Sequence, residues 1–378
     1  MTLVTAPLLL PTYDRAPVTF ERGEGVWLVA EDGRRYLDFA AGVAVVGLGH
    51  CHPAPLAAAH RQLDQLWHAS NLYWTSPMVA LAERLSERFG GAEAFFCNSG
   101  TEAVEAALKY ARRATGRHGV LALEGSFHGR TLGALAATGQ ASKRTPFEPL
   151  LPDVCFARMN DADSLRAAIR PETGIILVEP IQGEGGVHVA TPAFLEAAAA
   201  VADETGALLC FDEVQTGCGR TGSFFAWEHA GVPPKLVTLA KGLANGLPIG
   251  CLLVADDVAG AFVPGDHGST FGGNPVACAA ACAVCDAIDT ALLANVQEQG
   301  DRLVARLAEL PAVVEVRGAG LLVGVELDRP TAPLIDACRD AGLLVLSAGE
   351  RVLRLTPPLI VSDAEVGLAL DVLVEVLG

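Results

Sequence analysis

The stretch Leu236-Val-Thr-Leu-Ala-Lys241-Gly242 decides how the rest of the chain reads: a short, apolar, β-forming run that stops at one lysine followed by glycine. A lysine at the end of a buried strand is unusual, because burial disfavours the ammonium and moves the amine toward the range where it is a free nucleophile. The other course open to it is to snorkel, with its stem on apolar surface and its charge in water. A second strand end bears on the choice. Ala207-Leu-Leu-Cys-Phe211 reads as another buried strand and delivers Asp212-Glu213-Val214-Gln215 into a glycine-rich loop. In open α/β sheets, ligands sit beyond the carboxyl ends of the strands, so one crevice can hold both Lys241 and Asp212.

That pair has a chemical meaning. Pyridoxal phosphate needs a lysine for its aldehyde and an acid for its pyridinium nitrogen, which keeps the ring an electron sink. A phosphate site is also in the sequence. Strand Ala92–Cys97 runs into Asn98-Ser-Gly-Thr-Glu102, where Ser99 and Glu102 have capping-box spacing and Gly100 lets a ligand come close to the backbone. A helix N-terminus of this kind binds anions, although the same residues also make an ordinary capped helix. After the next strand comes Glu124-Gly-Ser-Phe127-His128-Gly129-Arg130-Thr131. Phe127 can stack on a flat ring and Arg130 can grip a carboxylate with two hydrogen bonds, or the segment is a surface loop over a packed phenylalanine.

Around these segments the pattern alternates from about Ala92 to Val263. Strands are expected at Ala92–Cys97, Val120–Leu123, Gly174–Val178, Ala207–Phe211, Leu236–Ala240 and Gly250–Ala255, with helices at Thr101–Arg113 and Pro192–Thr205. The fold class is therefore α/β: a large domain whose mostly parallel sheet is covered by helices, and a smaller α/β domain built from the C-terminal part with the N-terminal segment. The expected division is 1–50 for an N-terminal hairpin and loop, 51–275 for the large domain and 276–378 for the connecting helix and small domain. The hairpin pairs Val26–Ala30 with Arg35–Phe39, helices follow near Pro53–Ala69 and Pro77–Phe89, and a long alanine-rich helix leads away from Asn274-Pro275.

Composition sets limits. The chain has 378 residues, 51% hydrophobic, enough for a large core. Its formal charge of −17 argues against nucleic acid as a partner. The apolar run near Met1 has no basic region before it and is bounded by prolines, so it does not read as a signal peptide, and no uninterrupted span suggests a membrane segment. A cytoplasmic location is expected. Cys278, Cys282 and Cys285 have a spacing that can hold iron–sulfur clusters, but the residues between them are helix-forming, which makes a packed helix face the expected reading and no metal the expectation. His50-Cys51-His52 is too cramped to converge on a metal. Gly217-Cys-Gly-Arg-Thr-Gly222 satisfies GxGxxG yet stands five residues from its strand with no helix at its end, so it does not read as a dinucleotide site.

Taken in order, Gly23-Glu-Gly25, Tyr36-Leu-Asp-Phe39, Gly49-His-Cys-His-Pro53, Asn98-Ser-Gly-Thr-Glu102, Phe127-His-Gly-Arg130, Val178-Glu-Pro-Ile-Gln-Gly-Glu-Gly-Gly186, Phe211-Asp-Glu-Val-Gln215, Ala240-Lys-Gly242, Ser269-Thr-Phe-Gly-Gly-Asn-Pro275 and Leu353-Arg-Leu-Thr-Pro-Pro358 form a specific set. On these motifs the chain resembles the class III, fold-type I aminotransferases that use pyridoxal 5'-phosphate, and most closely their acetylornithine branch. The resemblance implies that Lys241 bonds to the cofactor aldehyde and Asp212 pairs with the ring nitrogen. It places Ser99, Gly100 and Thr101 at the phosphate and Phe127 over the ring. Val214 and Gln215 fall on the other face and the hydroxyl edge. Ser269 and Thr270 are lent across a homodimer whose active sites lie at the interface, Thr270 to the neighbour's phosphate and Ser269 to the substrate side.

For the substrates, the resemblance assigns Arg130 to the α-carboxylate of acetylornithine and Arg354 to that of glutamate or 2-oxoglutarate, with Glu179 neutralising Arg354 while the donor is bound. The implied reaction moves the terminal amino group of acetylornithine to 2-oxoglutarate, a step of arginine biosynthesis, with succinyl-diaminopimelate as a second donor. Val43 stands where ornithine-specific members place a tyrosine. A 4-aminobutyrate, ornithine or lysine-type transaminase is the alternative, differing around Val43 and Asn71-Leu-Tyr-Trp74. A decarboxylase or aminomutase with the same cofactor is the alternative of another reaction class.

Overall fold

The computed structural model describes residues 8–378. The central sheet has seven strands, in the order Ala92–Cys97, Gly250–Ala255, Leu236–Leu239, Leu208–Asp212, Thr173–Val178, Gly119–Leu123 and Val154–Ala157. Gly250–Ala255 is antiparallel to both neighbours, and every other pairing is parallel. Six carboxyl ends therefore open on the same edge, the edge at which α/β sheets bind ligands.

The inner strands of this sheet are buried on both faces, which is why they are largely apolar. Leu121, Ile176, Leu209 and Phe211 pack with Phe194, Leu195, Ala198 and Val201 of helix Pro192–Thr205 on one side. Val120, Ile175, Leu177, Cys210 and Leu236, one residue out of phase, pack with Val104, Leu108 and Ala111 of helix Gly100–Thr115 on the other. This two-residue alternation is the pleat of the strands, and burying each such aliphatic side chain contributes about 1.5–3 kcal/mol. Cys278 and Cys285 lie in a third cluster with Val237, Leu239, Cys251 and Leu253, buried on the helix Pro275–Ala287.

The N-terminal hairpin Trp27–Ala30 and Arg35–Asp38 gains a strand, Phe20–Glu24, and joins the far end of the chain through a parallel pairing of Arg35–Asp38 with Leu343–Leu344. Val26, Leu37 and Phe39 share one core with Leu303, Leu353, Leu355 and Leu373. A second, antiparallel sheet of Val313–Ala319, Leu322–Leu327, Val352–Leu355 and Leu346–Ser347 completes the smaller α/β layer.

Two expectations need correction. The long helix after Pro275 is two helices, Pro275–Ala287 and Thr290–Leu307, bent by 74°. Ile288 leaves helical geometry at ψ 83°, and the Asp289 carboxylate accepts the Leu292 amide at 2.8 Å, starting a new helix. The strand Val154–Ala157 and the helix Ala332–Asp340 were not expected at all. The strand is four residues long and only partly buried, and the helix is nine residues long with only Cys338 buried, so each offers few apolar positions to read. Among the described residues no single helix is long and apolar enough to cross a membrane.

Candidate active site

At the carboxyl edge of the sheet lies a cavity of about 380 Å³, within the range of small-ligand sites. Ser99, Gly100, Thr101, Phe127, Arg130, Glu179, Asp212, Val214, Gln215 and Lys241 all line it, each just beyond a parallel strand. Lys241 and Asp212 thus open into one space.

Lys241 stands one residue, Ala240, beyond Leu236–Leu239, in a left-handed backbone conformation (φ 32°) that non-glycine residues adopt at a cost. Burial pushes its amine down to about 8, against the partly opposing fields of Glu184, Asp212 and Glu179. A lysine in this state is an amine nucleophile close to neutral pH.

Asp212 closes Leu208–Asp212, and three donors fix its carboxylate. Oδ1 accepts Thr238 Oγ1 at 3.0 Å and the Val214 amide at 3.1 Å, and Oδ2 is 2.7 Å from His128 Nδ1. His128 is fully buried and its Nε2 has no partner among the described residues. It was quoted in the sequence motif without a role, and its position two residues before Arg130 was the available signal.

The anion cup departs from a simple capping box. Ser99 Oγ accepts the Glu102 amide and donates to Glu102 Oε2, and that carboxylate reaches back to the amide and side chain of Asn98 rather than to the Ser99 amide. The Gly100 and Thr101 amides at the helix start have no acceptor among the described residues, as helix N-termini leave them. Gly100 is required by contact: a Cβ there would stand 2.7 Å from Val214 Cγ1. Gly129 is required twice over, by its φ of 138° and by Thr101 Oγ1 only 2.2 Å from where a Cβ would be.

The two arginines sit differently. Arg130 is exposed, with its guanidinium carbon 5.4 Å from the Phe127 ring centre. Arg354 is 3% exposed and set behind the cavity wall, where Nη1 donates to Gly183 O at 2.8 Å, Glu184 Oε1 at 2.5 Å and Gln215 Oε1 at 3.0 Å. Its Nε has no partner among the described residues. The acid paired with Arg354 in this structure is therefore Glu184, not Glu179. Glu179 accepts the Phe127 amide at 2.9 Å, and burial, followed by the Asp212 charge, raises its carboxyl well above the ordinary range. The hairpin of Ile181–Gln182 with His188–Val189 turns Glu184 toward Arg354 and leaves Glu179 at the strand end. A second acid inside the glycine-rich turn was the signal for it.

Ser269 and Thr270 do not line the cavity of their own chain. Ser269 Oγ accepts from Asn98 Nδ2 at 3.1 Å and the Gly272 amide at 3.0 Å, while Thr270 is exposed.

The residues present suit pyridoxal phosphate on chemical grounds: an amine of lowered basicity, an oriented carboxylate, free amides at a helix start and glycines that keep the wall clear. The comparisons with known proteins agree. The model of the aminotransferase class-III family matches residues 10–377. The chain belongs to the class-III aminotransferases. An acetylornithine aminotransferase of Streptomyces coelicolor is 50% identical over 94% of this chain and 90% of its own. Among solved structures, the ornithine aminotransferase of Toxoplasma gondii, described with partial occupancy of PLP at its active site, superposes with TM-score 0.93 at 32% identity, over 97% of this chain and 91% of the other. N-acetylornithine aminotransferase of Stenotrophomonas maltophilia gives 0.84 at 36%, over 96% of both chains. Within this class-III aminotransferase the two arginines stand at different depths, Arg130 exposed and Arg354 buried.

Proposed function

We propose that this enzyme moves the terminal amino group of N2-acetyl-L-ornithine to 2-oxoglutarate, giving N-acetylglutamate 5-semialdehyde and L-glutamate. The observation that carries the reading is one cavity with Lys241 and Asp212 inside it, an open arginine at its rim and a second arginine guarded by Glu184. Relatives named for acetylornithine at 43–50% identity support the choice of donor.

When bound, pyridoxal phosphate supplies an aldehyde to hold the amine and a ring that withdraws electrons from the substrate carbon. Lys241 anchors that aldehyde and, when released, takes and returns the proton at its Nζ, a role that typically contributes roughly 10²–10⁴-fold in rate. Asp212 faces the ring nitrogen, oriented by His128 and Thr238. The amides of Gly100 and Thr101, with Ser99, receive the phosphate, and Phe127 and Val214 flank the ring, with Gln215 at its hydroxyl edge.

Arg130 holds the donor's carboxylate at the outer end. Glu184 covers Arg354 while the donor, which has no carboxylate at that inner end, is bound, and swings away when a 2-oxo acid brings one. Two substrates that take turns in one cavity predict ping-pong kinetics.

Thr270 serves the phosphate of a second copy, with Ser269 on the substrate side. A homodimer is supported by exposed Trp67, Leu72, Tyr73, Trp74 and Phe271, which gather around the Ser269–Thr270 segment, since large apolar side chains exposed together mark an interaction surface. The location is cytoplasmic on this reading. Val43 sits on the left-handed turn Ala41–Ala44, two residues before the cavity-lining Val45, where a tyrosine would be needed to serve free ornithine.

Steady-state assays with 2-oxoglutarate and acetylornithine, ornithine, 4-aminobutyrate or succinyl-diaminopimelate test the proposal. Acetylornithine should give the highest kcat/KM, and a higher value for 4-aminobutyrate or ornithine overturns it. The Lys241 amine adds a pH test. The cofactor-free protein should capture pyridoxal phosphate about tenfold faster at pH 9 than at pH 7 and level off beyond, because only the neutral amine attacks. An ordinary lysine, with its value of 10.5, would still be accelerating there.

A further inference from the structure

Three residues stand side by side across the small antiparallel sheet. Arg317 on Val313–Ala319 pairs with Gly324 on Leu322–Leu327, which pairs in turn with Arg354 on Val352–Leu355. Residues opposite one another in a sheet point to the same face, so two arginines flank a glycine there. The turn that carries Glu184 lies on this row. At one end Arg354 Nη1 donates to Gly183 O at 2.8 Å and to Glu184 Oε1 at 2.5 Å, and at the other Arg317 Nε donates to Gly186 O at 2.8 Å. Between them the fully buried Val187 seats on Gly324, where a Cβ would stand 2.6 Å from Val187 Cβ.

Arg317 does not line the cavity, and its own direction is set from outside it. Nη1 lies 2.6 Å from Glu315 Oε2 and 2.6 Å from Glu326 Oε2, two acids that face each other on the neighbouring strands. That grip leaves Nε aimed at the turn. Val187 joins Ile181, Leu322, Ala348 and Val352 in a core of its own, yet its backbone is left-handed at φ 55°. A β-branched residue adopts that conformation only at a cost, so the turn keeps its shape through restraints supplied by its surroundings.

We propose that Arg317 is a positioning residue: by holding Gly186 it keeps the turn against the sheet, and so keeps Glu184 on Arg354 until a substrate carboxylate arrives. The inference rests on the reading of Glu184 as the cover of Arg354 and adds what holds the cover in place. With the backbone fixed at Gly186 and Val187, opening falls to the Glu184 side chain. A ligand carboxylate competes with Glu184 for Arg354, so its apparent affinity is its intrinsic affinity reduced by the fraction of enzyme that is uncovered. Loosening the turn raises that fraction and tightens binding. A general loss of structure would weaken it.

Calorimetric titration of the enzyme loaded with pyridoxal phosphate tests this, with glutarate as a dicarboxylate that cannot react. Arg317→Lys keeps a charge between Glu315 and Glu326 but has no Nε–H for Gly186, and Arg317→Met removes both. Each should bind glutarate about three- to tenfold more tightly than wild type, the worth of one hydrogen bond. Glu184→Gln should tighten binding at least as much. Adding Arg317→Lys to Glu184→Gln should change affinity by less than about twofold, because changes that act through one contact do not add. Unchanged or weaker binding in Arg317→Lys, or an undiminished gain in the Glu184→Gln background, overturns the inference. If Glu184→Gln itself leaves glutarate affinity unchanged, the cover is wrong and the inference falls with it. Failure of acetylornithine to transaminate while the gain still follows Arg317 and Glu184 would instead remove the proposed reaction and leave the role of Arg317 standing.

Discussion

Arg130 lines the cavity, Arg354 stands behind its wall, and the two are built to opposite rules. Arg354 is buried behind the wall, with its charge met by Glu184 and its donors by Gly183 O and Gln215. Arg130 lies in the open, 5.4 Å from the Phe127 ring centre, with no ion-pair partner among the described residues. A buried charge without a partner is costly, so an arginine that must wait inside the protein needs a carboxylate that can leave when a substrate's carboxylate arrives. An arginine in water needs none. On the proposed function the enzyme thus has one conditional carboxylate site and one permanent one, which is what alternating substrates of different length require.

The largest effect should come from the buried site. Arg354→Ala should lower kcat/KM for 2-oxoglutarate by about 10²–10³-fold, the usual cost of breaking a buried charged pair, and leave the half-reaction with acetylornithine within about tenfold of wild type. Single-turnover measurement of each half-reaction separates the two, and equal losses in both would end the comparison. Glu184→Gln should come next, acting on the opposite half. With Arg354 uncompensated, the donor half-reaction should slow by about tenfold while 2-oxoglutarate is affected less. A selective loss with 2-oxoglutarate would mean that Glu184 does not guard Arg354. Arg130→Ala should be mildest, raising KM for acetylornithine about five- to tenfold with kcat nearly unchanged, as expected of a solvent-screened contact. Unchanged donor kinetics would remove Arg130 from the site.

Much of this was legible in the chain itself, for a physical reason. Strands buried on both faces must be largely apolar, so Gly119–Leu123, Gly250–Ala255 and the stretch ending at Lys241 could be read directly, and the polar residues beyond them stood out. What failed to show was set by long-range geometry. Glu179 and Glu184 are five residues apart in one motif, and which of them meets Arg354, 170 residues further on, depends on a two-residue hairpin no local pattern announces. His128 shows its purpose only when the sheet brings it within 2.7 Å of Asp212, 84 residues away. The break at Ile288 was hidden because helix-forming residues stand on both sides of it, and only the Asp289 cap marks the stop.

The central claim is that one amine and one carboxylate share a cofactor. Borohydride reduction of the protein loaded with pyridoxal phosphate, followed by peptide mapping, tests it most directly. The account predicts a single stable label on Lys241, absent in Lys241→Ala together with all turnover. A label on another lysine, or full activity in Lys241→Ala, would contradict it.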